Sequence, residues 1–250
     1  MKKNMLFILI FSVIIKLRAQ DQFTGLLKYS QITAFEDTMK RVKLPVDLVF
    51  TKEESVTIPG VIQKMNQSDS IRILAPPSDN RRRNAVYVNL KTNRMISRQR
   101  ADTELVIVDD ELEKIDWKIL PQTKKIGNIK CQKAEAKVRG RFYTAWFAPD
   151  IPVRFGPWKL QGLPGLILQA KSADNAVEFR FESLTIPVPS HLKVAPLEVL
   201  PTMKIVTEKE FLVLKKKNEE NFRKMAMTAS GTDGGSGISS SHWIEIYPQN

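Results

Sequence analysis

Apolar and polar residues alternate with a period of two along most of the chain. The stretches 23–33 (FTGLLKYSQIT), 46–50 (VDLVF), 84–90 (NAVYVNL), 94–99 (RMISRQ), 103–109 (TELVIVD) and 114–120 (KIDWKIL) are rich in β-branched and aromatic residues and predict strands. Further strands are predicted at 129–138, 141–148, 166–172 and 176–186. Turn chemistry separates neighbours. Lys91-Thr92-Asn93 and Ala173-Asp174-Asn175 are turn signals, and Gly140 in Arg139-Gly140 supplies the positive φ of a two-residue hairpin loop. In the last of these strands Val177, Phe179 and Phe181 alternate with Glu178, Arg180 and Glu182, so one face is dry and the other wet. Connections this short predict an antiparallel meander.

The period changes near the C-terminus. Thr207 and Glu210 form a capping box, and Phe211, Leu214, Phe222, Met225, Ala226 and Ala229 follow on roughly one stripe. A helix over 207–229 is predicted, its apolar stripe laid on the sheet. Residues 59–82 and 187–202 read as connections, the second as an extended tether from the last sheet strand to the helix. A Gly/Ser linker (230–241) then leads to a terminal strand at 242–248. A sheet with one dry face must curl or accept a cover. The predicted fold is therefore mainly β: a strongly curved antiparallel sheet or incomplete barrel, with one C-terminal amphipathic helix packed against it.

The first residues read differently. Lys2 and Lys3 precede the apolar run 5–15, and Ala19 offers a small residue for cleavage, although Leu17 departs from the small residue preferred there. Residues 1–19 are expected to be a signal peptide and 20–250 a single exported β-rich domain, periplasmic or secreted. The run is short of the roughly 20 apolar residues that span a bilayer, and no comparable run follows, so no transmembrane span is expected in the mature chain. No cysteine lies directly after the run, which argues against a lipid-modified N-terminus. Cys131 is the only cysteine, which rules out a disulfide framework and a cysteine-based zinc cluster; a small buried role is expected for it.

Charge adds less than its total suggests. The formal +12 falls to +8 without Lys2, Lys3, Lys16 and Arg18, and the excess lies in 20–170, with one dense run at Arg81-Arg82-Arg83. No recognition module accompanies it, so nucleic acid is not an expected partner. An anionic envelope surface or acidic ligand suits it better.

Candidate chemistry is sparse. His191 and His242 cannot make a histidine-rich metal site, and Ser239, Ser240 and Ser241 beside His242 lie in the Gly/Ser linker, a poor place for a rigid triad. No metal or other cofactor is expected. Asp150, between Pro149 and Ile151-Pro152, is the acid best placed for catalysis, with Arg141 and Tyr143 as orienting groups. The aromatics are the stronger lead. Tyr143 and Trp146 precede Asp150, and Phe155 and Trp158 follow it, a grouping that suits core or the lining of an apolar pocket. Large groups on both faces of 141–148 predict a strand buried on both sides.

Gly and Pro are set among core residues at 156–172, GPWKLQGLPGLILQAKS. Leu163-Pro164-Gly165-Leu166 has the chemistry of a type II turn, with Pro164 pre-setting φ and Gly165 taking the positive φ. Gly162 would let another backbone approach. The stretch reads as a corner that delivers Leu166, Ile167 and Leu168 into a buried strand.

The series Trp146, Ala148-Pro149, Ile151-Pro152, Gly156-Pro157-Trp158 and Gly162-Leu163-Pro164-Gly165-Leu166-Ile167, preceded by 123–145, resembles the bacterial GLPGLI family of exported proteins, most densely over 103–186. Members often carry Gly-Tyr where this chain has Asn128-Ile129. The resemblance implies export and a β-rich unit, and it supplies no catalytic residue.

These readings favour a non-enzymatic binding or carrier module that holds an apolar or amphipathic ligand, or a cell-envelope protein, in its concave face. An interaction subunit of an outer-membrane complex using exposed strand edges, and an enzyme working near Asp150, are the alternatives.

Overall fold

The computed structural model describes residues 23–34, 41–59, 84–101 and 104–229. The expected signal peptide, Gly/Ser linker and terminal strand lie outside them, as do Arg81, Arg82 and Arg83. One twelve-stranded sheet dominates. The first meander comprises β1 (Gly25–Ala34), β2 (Arg41–Phe50), β3 (Glu54–Pro59), β4 (Ala85–Asn89), β5 (Arg94–Ala101) and β6 (Glu104–Glu111). The second comprises β7 (Lys118–Ile126), β8 (Ile129–Val138), β9 (Arg141–Ala148), β10 (Leu166–Ser172) and β11 (Val177–Thr185). The two fuse where β1 pairs antiparallel with β11. A short β12 (Lys204–Val206) joins the far edge beside β6, and the helix α1 (Glu208–Ala229) follows.

Chain connectivity forces this sheet to curve. β6 and β7 stand ten positions apart in the strand order, yet only residues 112–117 connect them. Ten spacings of about 4.8 Å make roughly 48 Å across a flat sheet. Seven extended Cα steps cover about 25 Å at most. The sheet must bend its two ends toward each other, and it stops short of a closed barrel because β7 and β12 do not pair.

Several local expectations hold. Arg139 and Gly140 both take positive φ at the β8–β9 turn, and Asn93 and Asn175 do so at theirs. The capping box forms: Thr207 N–H donates to Glu210 Oε2 at 2.7 Å, and Glu210 N–H to Thr207 Oγ1 at 3.3 Å. Phe211 is buried against Ala101, Val106 and Val108, seating α1 on β5 and β6.

Other expectations are corrected. The strand predicted at 114–120 begins only at Lys118, because 112–117 crosses the gap between the sheet's ends and has no neighbour to pair with. β3 was not predicted at all. β12 falls between the expected tether (187–202) and helix, where no strand is expected, and it pairs parallel to β6, so the sheet is not wholly antiparallel. β9 buries Tyr143, Ala145 and Phe147 on one face, but Phe142 on the other is 63% exposed; that face is wet at its start. Burial on both sides fails there.

The tether runs across the first meander on its way to β12. Val188 N–H donates to Thr24 Oγ1, and the buried Arg98 donates to the Glu198 carbonyl, each at 3.3 Å. By strand alternation Arg98 points away from the face that holds Ala101, so tether and helix cover opposite sides of that end.

The main core gathers side chains from both meanders around the connection between β9 and β10, whose Val153, Phe155, Leu160 and Leu163 are each 1% exposed. Tyr29 reaches across this core, and its hydroxyl donates to the Ile167 carbonyl at 2.5 Å, where the β10 register shifts. Tyr29→Phe deletes the donor and leaves a buried carbonyl short of a partner. A loss of about 1–3 kcal/mol is expected in urea unfolding, with the slope unchanged.

Candidate functional site

The connection 149–165 is held by its own main chain. Gly162 N–H donates to Arg154 O, Leu166 N–H to Ile151 O and Ile167 N–H to Phe155 O, at 2.9, 3.0 and 2.9 Å. Phe155 and Gln161 form an isolated bridge. The result is a compact plug whose apolar side chains enter the core. Gly156, Pro157, Leu163, Gly165, Leu166 and Ile167 are buried and Pro164 is exposed.

The two motif glycines exchange the roles that the turn reading assigned. Gly162 has the positive φ, +97°, and a Cβ there would come no nearer than 3.9 Å to another residue, the ring of Trp117. Gly165 is outside the left-handed region. A Cβ on it would lie 2.7 Å from the Ala148 carbonyl carbon and closer still to its oxygen. Leu166 N–H bonds Ile151, not Leu163, so the type II turn with positive φ at Gly165 is not what forms. Gly165 is required by close packing against the end of β9, a long-range fact that turn chemistry cannot reveal.

The plug meets the crossing segment 112–117 at the seam between the sheet's two ends. Trp117 Nε1 donates to Gln161 O at 2.8 Å, Gln161 Nε2 to Glu113 O at 2.6 Å, and Arg154 to Gly162 O at 3.2 Å. Leu112 N–H donates to Asn93 O at 3.0 Å, which ties in the β4–β5 turn. A cleft of about 580 Å³ opens beside these contacts. Leu112, Ile115, Trp117, Leu163 and Pro164 contribute apolar wall, while Lys114, Asp116, Lys118 and Arg154 supply charge. The indole N–H of Trp117 is already satisfied, so its ring serves as a wall.

A cluster of charges fastens the same seam from behind. Glu208, in the first turn of α1, accepts from Arg139 at 2.6 Å and lies 3.5 Å from the Lys159 ammonium. Arg139 also sits 3.5 Å from Glu113, and the Glu208 N–H donates to Asp110 at 3.2 Å. The Lys159 and Arg139 side chains are 1% and 11% exposed. Helix, β6, the β8–β9 turn, the plug and the crossing segment are thereby joined in one ionic knot.

The four aromatics proposed as a ligand site do not form one surface. Tyr143 and Phe155 are buried in the core. Trp146 faces the other side of β9, with the Lys124 ammonium 4.3 Å from its ring centre and itself bonded to Gln169. Trp158 is half-buried in the plug with φ +57°. Asp150 is exposed in the turn after β9, and no side-chain partner bonds it among the described residues. Arg141 begins β9, an eight-residue strand, roughly 25 Å of extended chain from Asp150. It is buried and paired with Asp174, so it cannot orient chemistry at Asp150. Among the described residues no group of three or more His, Cys, Asp or Glu comes together as a metal site, and no helix is long and apolar enough to cross a membrane. Sequence reasoning missed Trp117 and Gln161. Trp117 lay inside a predicted strand, and the polar Gln161 carried no signal of burial.

Cys131 is fully buried. Burial pushes its thiol up to about 11, against the opposing pull of the nearby Lys124 charge. The thiolate is therefore scarce at neutral pH. Iodoacetamide should leave the native protein unlabelled at pH 8 and modify it stoichiometrically in 6 M guanidinium. Equal rates in both conditions would contradict the buried thiol.

A family model described as "Protein of unknown function (Porph_ging)" matches residues 137–169, which take in β9, the plug and the start of β10. No curated protein matches. PNGF-II, solved in C2 and P21 space groups, resembles 79% of this chain at 16% identity, with TM-scores of 0.51 and 0.52. A putative outer membrane lipoprotein-sorting protein domain from Vibrio parahaemolyticus aligns with 82% of this chain and 97% of its own length at 11% identity, with a TM-score of 0.32, too low to support an argument. The match covers 33–34% of the PNGF-II chain, so this chain corresponds to about a third of that protein and shares with it a fold, not a demonstrated activity.

Proposed function

We propose that the chain is an exported, periplasmic binding module of the GLPGLI type, non-enzymatic, that holds an amphipathic ligand in the seam cleft. The observation that carries this reading is the cleft itself: an open volume with an aromatic and aliphatic wall and a charged rim, next to the segment that carries the motif. Such a lining matches a ligand with one apolar and one polar part. Plug side chains occupy the core among the described strands, which favours the seam over the concave interior as the binding place.

The test is purification from the native host, followed by mass spectrometry of the extract and a thermal melt of each variant. The parent should carry an amphiphile, Trp117→Phe should keep it, and Trp117→Ala should lose about tenfold of it while still folded. An empty parent extract, or equal loads in all three proteins, refutes the seam cleft.

A further inference from the structure

The β7–β8 hairpin holds six lysines against one glutamate between residues 118 and 138, which accounts for most of the excess charge of the mature chain. Four of the lysines have evident partners. Lys133 pairs with Glu135 at 2.7 Å, and Lys118 lies across from Glu135 in the ladder. Lys124 sits over Trp146, and Lys137 is 5.8 Å from the Phe142 ring centre. Lys125 and Lys130 remain. They are directly opposite each other in the β7–β8 register, both exposed, and neither makes an ion pair among the described residues. Like charges placed directly opposite destabilise a sheet, so local stability does not explain them.

The same strand is an open edge, since β7 pairs only with β8 among the described residues. Ile126 and Ile129 close a two-residue turn with positive φ at Gly127. Such a closing pair is hydrogen-bonded, and alternation then turns the main-chain N–H and C=O of Lys125 and Thr123 to the open side. Pro121, which has no N–H, limits this free ladder. A second copy is an unsuitable occupant, because edge-to-edge pairing would bring its lysines onto these.

We propose that the β7 edge accepts an extended acidic polypeptide segment as an added strand, with Thr123 and Lys125 providing the main-chain bonds and the Lys125–Lys130 pair receiving a carboxylate. Exposed edges take strands in this way, and pairing of side chains selects among them. This site is separate from the seam cleft and does not depend on a ligand there.

The probe is a fluorescein-labelled eight-residue peptide of alternating valine and glutamate, titrated into the full chain and followed by anisotropy. Binding should weaken at least tenfold in Lys125→Glu/Lys130→Glu, whose melting temperature should not fall. It should weaken equally in Thr123→Pro, which keeps every charge and removes one outward N–H. In the parent, amide exchange at Thr123 and Lys125 should slow when peptide is added. Undiminished binding to Thr123→Pro, or equal competition by inorganic phosphate or phosphatidylglycerol vesicles, would show simple anion attraction and overturn the proposal. No binding by the parent would overturn it as well.

Discussion

Gly165→Ala melts about 6–12 °C below the parent. The added methyl group meets the Ala148 carbonyl at the end of β9, main chain that cannot rotate away. Overpacking of this kind costs about 1–3 kcal/mol where side chains yield, and more where backbone must move. We expect about 3 kcal/mol here, and each kcal/mol lowers the melting temperature of a chain this size by about 2–4 °C. Gly162→Ala is the control. Its φ of +97° is strained for alanine, but the site has open space, so only about 1–2 kcal/mol is expected. The order matters more than either value. If Gly162→Ala melts lower than Gly165→Ala, the motif is a conformational turn after all, and the packing account of Gly165 is wrong.

Removing the carboxylate of Glu208 should have a comparable effect by another route. Glu208→Ala leaves Arg139 and Lys159 without the anion they share, in a place where both side chains are nearly hidden from water. Breaking a buried pair from one side costs about 3–5 kcal/mol, because the remaining charge keeps its desolvation penalty. Glu113 stays within 3.5 Å of Arg139 and softens this, so about 3 kcal/mol is expected. The loss should appear first as release of α1, read by faster proteolysis at 208–229. Lys159→Met removes a buried cation and fills its volume, so it should melt within about 3 °C of the parent, the span of roughly 1 kcal/mol. If Glu208→Ala matches the parent in both assays, the knot contributes nothing and apolar packing such as that of Phe211 suffices to hold α1.

One effect arises where the plug packs on β9 and the other at the seam, and at both places local sequence patterns give no signal. Periodicity is a local signal: a strand's own side chains reveal which of its faces is dry, and turn residues reveal where it ends. Strands β1, β4, β5, β6 and β8 through β11 were legible for that reason, as were the Arg139-Gly140 turn and the Thr207 capping box. The expectation of a pocket at Tyr143, Trp146, Phe155 and Trp158 also rests on local density of aromatics, and alternation along β9 sends the first two to opposite faces of the sheet.

What the amino-acid sequence determined by itself was the strand-rich character, the curved sheet with a helix packed on it, and the burial of Leu166, Ile167 and Leu168. Each follows from side-chain pattern within a few residues. Only the tertiary structure decided that β1 joins β11, that 112–117 crosses the seam as unpaired chain, and that Gly165 is needed for space and Gly162 for φ. It also decided that Arg139, Lys159 and Glu208, distant in the chain, share one buried knot. These depend on which distant segments become neighbours. Neighbourhood is set by strand order and the bending of the whole sheet, constraints that no short stretch of sequence carries.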